Sequence, residues 1–212
     1  MPGSERRSFA LERTMVVGGT GSGKTELAAY LTRGCSRLIV IDTNKVLGGL
    51  VGAQLVHDPE EVTFRSRQVW QPPPGLPTKV LLEMVDRLCQ RGMEVGDFMG
   101  FIDELASVST SQTIPPWLAA WLRQGRAHRI GMIYCTQRDV GASNPEFFAQ
   151  AQHLYVGHST KMSLETLRKR VDHVDRATTL GYASGRFLFY ENMQPPPRLV
   201  GPVPLGSIRR AA

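Results

Sequence analysis

Residues 18–25 read Gly-Gly-Thr-Gly-Ser-Gly-Lys-Thr, combining four glycines with a cation and a closing hydroxyl. This is the spacing G-x-x-x-x-G-K-[ST] of a Walker A phosphate loop. The glycines let the backbone curl until successive N–H groups point inward at an anion. A helix opening at the end of the loop would turn its positive dipole end on the same anion. Gly19, Thr20, Gly21, Ser22, Gly23, Lys24 and Thr25 are therefore the candidate nucleotide seat. In it Lys24 reaches the β- and γ-phosphates of ATP, and the Thr25 hydroxyl ligates Mg²⁺.

Asp103 and Glu104 follow the apolar run Phe98 to Ile102 and read as Walker B. A carboxylate at a strand's C-terminal end can hold the Mg²⁺ shell, and a second acid beside it can polarise an attacking water. Asp-Glu pairs also arise at helix N-termini, where they favour the dipole; the upstream phosphate loop favours the catalytic reading. Many P-loop kinases lack the second acid, because their acceptor is a substrate hydroxyl. Thr136-Gln137-Arg138 closes a later apolar run, and Gln137 there can hydrogen-bond the γ-phosphate or the lytic water. A strand end turning polar at the surface is the alternative, and the position after Walker B favours the sensor.

These residues need a scaffold that brings them to one edge. Arg13 to Gly18 reads as a buried strand, Lys24 to Thr32 as a helix and Arg37 to Asp42 as a second strand, a βαβ unit with a parallel sheet. Short strands are expected at Gln54 to His57 and Arg67 to Gln71, followed by a proline-rich connector. Thr78 to Arg91 is an amphipathic helix, and Asp97 to Asp103 a strand. Ser107 to Pro116 reads as a polar loop, Trp117 to Arg126 as a helix and Ile130 to Cys135 as a strand. Asn144 to Gln150 is helical with Pro145 in its first position. Leu154 to Val156 reads as a strand, Met162 to Arg170 and Val171 to Leu180 as helices, and Arg186 to Tyr190 as the last strand. The organisation expected is an N-terminal extension over 1–12, a P-loop ATPase domain over 13–192 and a Pro-rich, basic C-terminal arm over 193–212 that ends in Arg209 and Arg210. The fold class is α/β: a P-loop NTPase of the RecA-like, ASCE type, a three-layer sandwich with a mainly parallel central sheet.

The 212 residues, 42% apolar and 21% charged, suit a globular domain able to bury a core. No run of eighteen apolar residues occurs and the first thirteen residues lack an apolar leader, so no stable membrane insertion is expected and a cytoplasmic location is. Cys35, Cys89 and Cys135 lack metal-ligand spacing and read as buried thiols. The net charge of +6 is uneven: residues 1–100 carry 12 Lys and Arg against 11 Asp and Glu, residues 101–150 four of each, and residues 151–212 nine against four. The basic last third can face a polyanion or be a solvated surface. Trp117 and Trp121, four apart on one helix, read as packing residues rather than base stackers.

The segments GGTGSGKT, RLIVID, FMGFIDELAS and GRAHRIGMIYCTQR together resemble the FtsK–HerA group of DNA-translocating ATPases, over about Arg13 to Tyr190. The Thr-Gln-Arg strand end and its basic upstream segment are the discriminating part, and Leu180 to Phe187 resembles the group's closing Gly-rich hairpin. Asp139 departs from the group, in which a proline is common there. The resemblance implies a homo-oligomeric ring, usually a hexamer, around double-stranded DNA, with ATP and Mg²⁺ between neighbours. It also implies an arginine supplied in trans; Arg126 falls at the corresponding place, with Arg123 and Arg129 as competitors.

With no room for the added domains of the larger members, the chain resembles the genome-packaging ATPases of tailless internal-membrane viruses. That implies a capsid portal or vertex protein as partner and a place in the host cytoplasm or virion. A zonula-occludens-toxin-like phage assembly ATPase and a P-loop small-molecule kinase are the alternatives. The first generally carries a transmembrane helix, and the second an arginine-bearing lid. Candidate DNA contacts are the polar loop Ser107 to Thr113 and the basic stretch Lys161, Arg168, Lys169 and Arg170, each of which can equally be a solvated surface.

Overall fold

The computed structural model describes residues 11–45, 47, 49, 51–137, 143–182 and 184–203, the side chain of Ser163 aside. Arg138 and Asp139, residues 1–10 of the expected N-terminal extension, and the stretch 204–212 with Arg209 and Arg210 lie outside the described residues.

The first strand, β1 (Arg13–Val17), is buried at every position. A strand buried along its whole length has both of its faces covered, as in a parallel sheet. Helix α1 (Lys24–Thr32) follows, then β2 (Leu38–Ile41), β3 (Gln54–Val56), β4 (Arg67–Trp70) and α2 (Thr78–Val95). Next come β5 (Phe98–Ile102), α3 (Leu105–Val108), α4 (Pro116–Gln124), β6 (Ile130–Thr136), α5 (Pro145–Gln150) and β7 (His153–Val156). The chain closes with α6 (Glu165–Arg168), β8 (Phe187–Tyr190) and β9 (Arg198–Val200).

The strands form one nine-stranded sheet in the order β3-β4-β2-β5-β6-β1-β7-β8-β9. All pairings from β3 across to β7 are parallel, while β7–β8 and β8–β9 are antiparallel. This is the mainly parallel α/β sheet the sequence predicts. Because β5, β6 and β1 lie side by side and run the same way, their C-terminal ends meet at one edge.

Alternate residues feed two cores. Met15 and Val17 join Val85 and Leu88 of α2, Trp121 of α4 and Phe147 of α5 on one face. Val16 joins Leu27 and Ala28 of α1 with Val203 on the other. Trp121 is the centre of the larger core: it is fully buried, donates from Nε1 to the Cys89 carbonyl at 2.6 Å and meets Phe98 edge-on. Trp117 is 38% exposed, so only one of the two tryptophans is a core residue. Gly92 makes room for Trp121, since a Cβ there would lie 2.4 Å from its ring.

Several boundaries differ from the expectation, each for a local reason. Helix α2 continues past Arg91 to Val95 and stops where Gly96 takes a positive φ of 63°. Part of the expected polar loop after Asp103 is helical, α3, because the Glu104 carboxylate accepts from the Ala106 N–H and caps a short turn. Helix α4 ends at Gln124, so Arg126 lies beyond it in a turn. Val174–Thr179 is 3-10 rather than α. Arg186 to Tyr190 is not the last strand: the segment read as an extended arm supplies β9, whose Leu199 pairs with Leu188, and buries Val203. Its prolines flank the strand and so do not break the ladder.

Gly92→Val is expected to destabilise the protein by about 1–3 kcal/mol through overpacking against Trp121. Urea unfolding measures it, and an unchanged midpoint would contradict this packing.

Candidate functional site

The turn from β1 into α1 is shaped by its glycines. Gly21 and Gly23 hold φ of 73° and 90°, a region that costs an L side chain energy, and Gly23 caps α1. The Gly19 N–H donates to the His158 carbonyl at 2.8 Å, which ties the loop to the segment after β7. Ser22 turns inward; its hydroxyl is buried and has no hydrogen-bond partner among the described residues, and a Cβ on Gly18 would lie 2.5 Å from it. Lys24 is buried and donates from Nζ to the Gly19 carbonyl at 2.9 Å. Burial lowers its pKa, opposed by Cys135, Glu104 and Asp103 nearby. A desolvated ammonium held by a neutral carbonyl is poised for a stronger, anionic partner.

The loop and the acids meet directly. The Thr25 Oγ1 hydroxyl donates to Asp103 Oδ1 at 2.9 Å, and Asn44 Nδ2 donates to the other oxygen, Oδ2, at 3.3 Å. Burial raises the Asp103 pKa, opposed by these two hydrogen bonds, while Asp42 raises it further. Glu104 accepts from the Ala106 N–H at 3.3 Å and, through its second oxygen, from the Gln137 N–H at 3.1 Å. Burial raises its pKa as well, opposed first by those two backbone donors. Gln137 is exposed, and its Oε1 accepts from Thr20 Oγ1 at 2.8 Å. Lys24, Thr25, Asp103, Glu104 and Gln137 thus lie together at the C-terminal edge of β1, β5 and β6.

Asn44 was not singled out in the sequence, nor were its neighbours Asp42 and Gln71. Asp42 is fully buried at the end of β2 and accepts from the Leu47 N–H at 2.8 Å and from Gln71 Nε2 at 2.7 Å. The available signal was position: Asp42 and Gln71 follow directly on a strand end, as Asp103 does, and Asn44 lies two residues beyond Asp42.

The oxygen donors at Thr25 and Asp103 suit a hard cation. No cluster of three His, Cys, Asp or Glu side chains able to hold a metal occurs among the described residues. Mg²⁺ binds through one or two protein oxygens together with substrate phosphates, and the Thr25 and Asp103 oxygens are two such groups.

Arg126 is at the opposite end of the sheet, just before β6. The seven residues of β6, at about 3.3 Å each, put it roughly 20 Å from the loop. Of the three arginines at this corner, Arg123 grips Glu146 through two hydrogen bonds and Arg129 pairs with Asp97 at 3.2 Å. Arg126 is exposed, and among the described residues no carboxylate pairs with it. In the polar loop Ser109 is buried and bonded to Leu105, while Thr110, Ser111 and Gln112 are exposed. Of the basic stretch, Arg168 pairs with Asp175 and Arg170 covers the Phe148 ring; Lys161 and Lys169 are exposed.

The sheet and the loop together make a P-loop α/β fold. Solved structures that share this fold include the following three. The genome-packaging NTPase B204 of Sulfolobus turreted icosahedral virus 2, in complex with AMPPCP, is 18% identical, with 92% of this chain and 99% of that one covered at a TM-score of 0.74. B204, the DNA-packaging ATPase of Sulfolobus turreted icosahedral virus, is 20% identical over 90% and 97%, at 0.68. VirB4 of Thermoanaerobacter pseudethanolicus is 10% identical over 86% and 87%, at 0.62. No protein-family model and no curated protein matches the sequence.

Gln71→Leu removes a hydrogen bond from the buried Asp42 carboxylate. It is expected to cost about 1–3 kcal/mol of stability, read by denaturant unfolding; a neutral result would remove Gln71 from this scaffold.

Proposed function

We propose that the chain is an ATP-hydrolysing motor that translocates double-stranded DNA, packaging a viral genome into a capsid. The observation that carries this reading is the hydrogen bond from Thr25 to Asp103, which joins the phosphate loop to the acids at one sheet edge. The structural likeness to a genome-packaging NTPase along nearly the whole of both chains supports the choice of motor. No helix among the described residues is long and apolar enough to cross a membrane.

In this reading Gly19 to Thr25 bind the triphosphate, with the Lys24 ammonium leaving the Gly19 carbonyl for the β- and γ-phosphates. Thr25 and Asp103 hold Mg²⁺, which neutralises charge on the phosphates when bound. Glu104 gives up the Gln137 N–H and accepts a proton from the attacking water. Gln137 exchanges Thr20 for the γ-phosphate. Arg126, too distant to serve its own subunit's loop, serves a neighbour's in a homo-oligomeric ring. The exposed part of the loop after α3 and the basic face with Lys161 and Lys169 face the DNA phosphates. Residues 13–192 form the ATPase domain, with β9 added to its sheet from the C-terminal segment. A capsid portal or vertex protein receives the motor, in the host cytoplasm or on the virion.

Glu104→Gln is expected to keep ATP binding and lose at least about a hundredfold in kcat, the usual scale of a lost general base. Normal turnover would remove Glu104 from this role. Mixing Lys24→Ala subunits, which keep Arg126, with Arg126→Ala subunits, which keep an intact loop, should restore ATPase activity that neither has alone. If the mixture stays inactive while both variants assemble, Arg126 does not act in trans. Duplex DNA should raise turnover, and the stimulation should fall steeply between roughly 50 and 200 mM salt; turnover indifferent to DNA would remove translocation.

A further inference from the structure

A triphosphate seated at Lys24 leaves its nucleoside two directions in which to extend. Toward β6 and β5 the edge is occupied by the Asp103 and Glu104 carboxylates and by the Thr20–Gln137 hydrogen bond. An uncharged aromatic base gains little there. Toward β7 and β8 the loop instead meets the His158 carbonyl and the ring of Tyr182, and the charged groups nearby, Arg176 and Arg186, are cations. The Gly19 N–H binds the His158 carbonyl, and a Cβ on Gly23 would lie 3.6 Å from Gly185 Cα. The segment leading into β8 is therefore docked along the phosphate loop.

Tyr182 stands on that segment, in a turn closed by a hydrogen bond from the Ser184 N–H to the Gly181 carbonyl. Its hydroxyl overhangs the loop, because a Cβ on Gly21 would come within 2.4 Å of it. Despite this central position the side chain is 68% exposed. Its one aromatic neighbour among the described residues is His158, edge-on at 5.9 Å and 88°, which leaves the faces of the phenol ring uncovered by aromatic side chains. His158 is itself fixed, with Nδ1 2.7 Å from the Leu180 carbonyl. Gly181 and Ser184, on either side of Tyr182 in the sequence, also border a cavity of about 350 Å³ lined by Arg176, Leu180 and Arg186.

We propose that Tyr182 is the nucleobase seat of this site: the base of the bound triphosphate stacks on the exposed face of its ring. This rests on the phosphate loop binding a nucleotide, as above. An exposed aromatic over an anion cradle gives a nucleotide what its phosphates cannot use, a flat apolar surface for the base, worth about 1–3 kcal/mol per stacked base in other settings. The glycine at position 21 then has two tasks, the positive φ of the loop and clearance for the Tyr182 hydroxyl.

The test compares ATP with inorganic tripolyphosphate, which carries the same phosphates and no base, by titration calorimetry in Mg²⁺ on the full chain. Wild type should bind ATP more tightly than tripolyphosphate. Tyr182→Ala should weaken ATP roughly 5- to 150-fold and leave tripolyphosphate unchanged. Tyr182→Leu, of similar bulk without a π face, should behave like the alanine variant, and Tyr182→Trp should keep ATP affinity. Unchanged tripolyphosphate binding reports an intact loop in each variant. An ATP affinity that Tyr182→Ala leaves unaltered, or equal losses for both ligands, overturns the base seat while the phosphate site stands. A wild type that binds neither ligand, with no change on Lys24→Ala, overturns the nucleotide reading itself and the base seat with it.

Discussion

The hydrogen bond between Thr25 Oγ1 and Asp103 Oδ1 ties the first turn of α1 to the end of β5, and the site depends on that tie. Without it the phosphate loop and the acidic edge would be two separate features of a sheet. The strand order makes it reachable. With β6 between β1 and β5, their three C-terminal ends form one ledge, and the loop leaving β1 folds back over it. Around the tie, burial pushes Asp103 and Glu104 toward their protonated forms and Lys24 toward its neutral form. Bringing phosphate to Lys24 and a divalent cation to Asp103 would relieve both strains at once. In the proposed reading such a site favours a metal–nucleotide pair over either alone.

The surrounding structure serves that ledge. Leu47, Gln71 and Asn44 orient the carboxylates of Asp42 and Asp103 from the side of β2 and β4. The Gln137 N–H holds Glu104 from β6, and His158 holds Gly19 from β7. At the other end of the sheet Arg13 donates to the Leu122 and Trp121 carbonyls in the last turn of α4, the second of which also accepts from the Gly125 N–H. The core around Trp121 keeps α2 and α4 seated on β5, which fixes where Asp103 emerges.

Much of this was legible in the residues. Strands β2 and β5 announce themselves as unbroken apolar runs, the helix formers of Lys24 to Thr32 place α1, and β4 lies almost residue for residue as expected. The loop from Gly18 to Thr25 is readable because its chemistry is local: glycine conformation, one ammonium and one hydroxyl within eight residues. Three kinds of feature were not legible. Asn44, Gln71 and Tyr182 matter only through partners far along the chain, and single polar or aromatic residues after a strand carry no periodic signal. Strand β9 is three residues between prolines, so its pairing with β8 is a tertiary choice that overrides local composition. Helix α3 exists because Glu104 caps it, a second use of a residue whose sequence context points to chemistry.

The most direct test of the metal–nucleotide ledge is electron paramagnetic resonance of Mn²⁺ substituted for Mg²⁺. The account predicts one Mn²⁺ bound per chain when ATP is present, lost on Asp103→Asn and on Thr25→Val and kept on substitution of the exposed Lys161. Equal Mn²⁺–ATP binding by wild type and by both variants at Thr25 and Asp103 would contradict it.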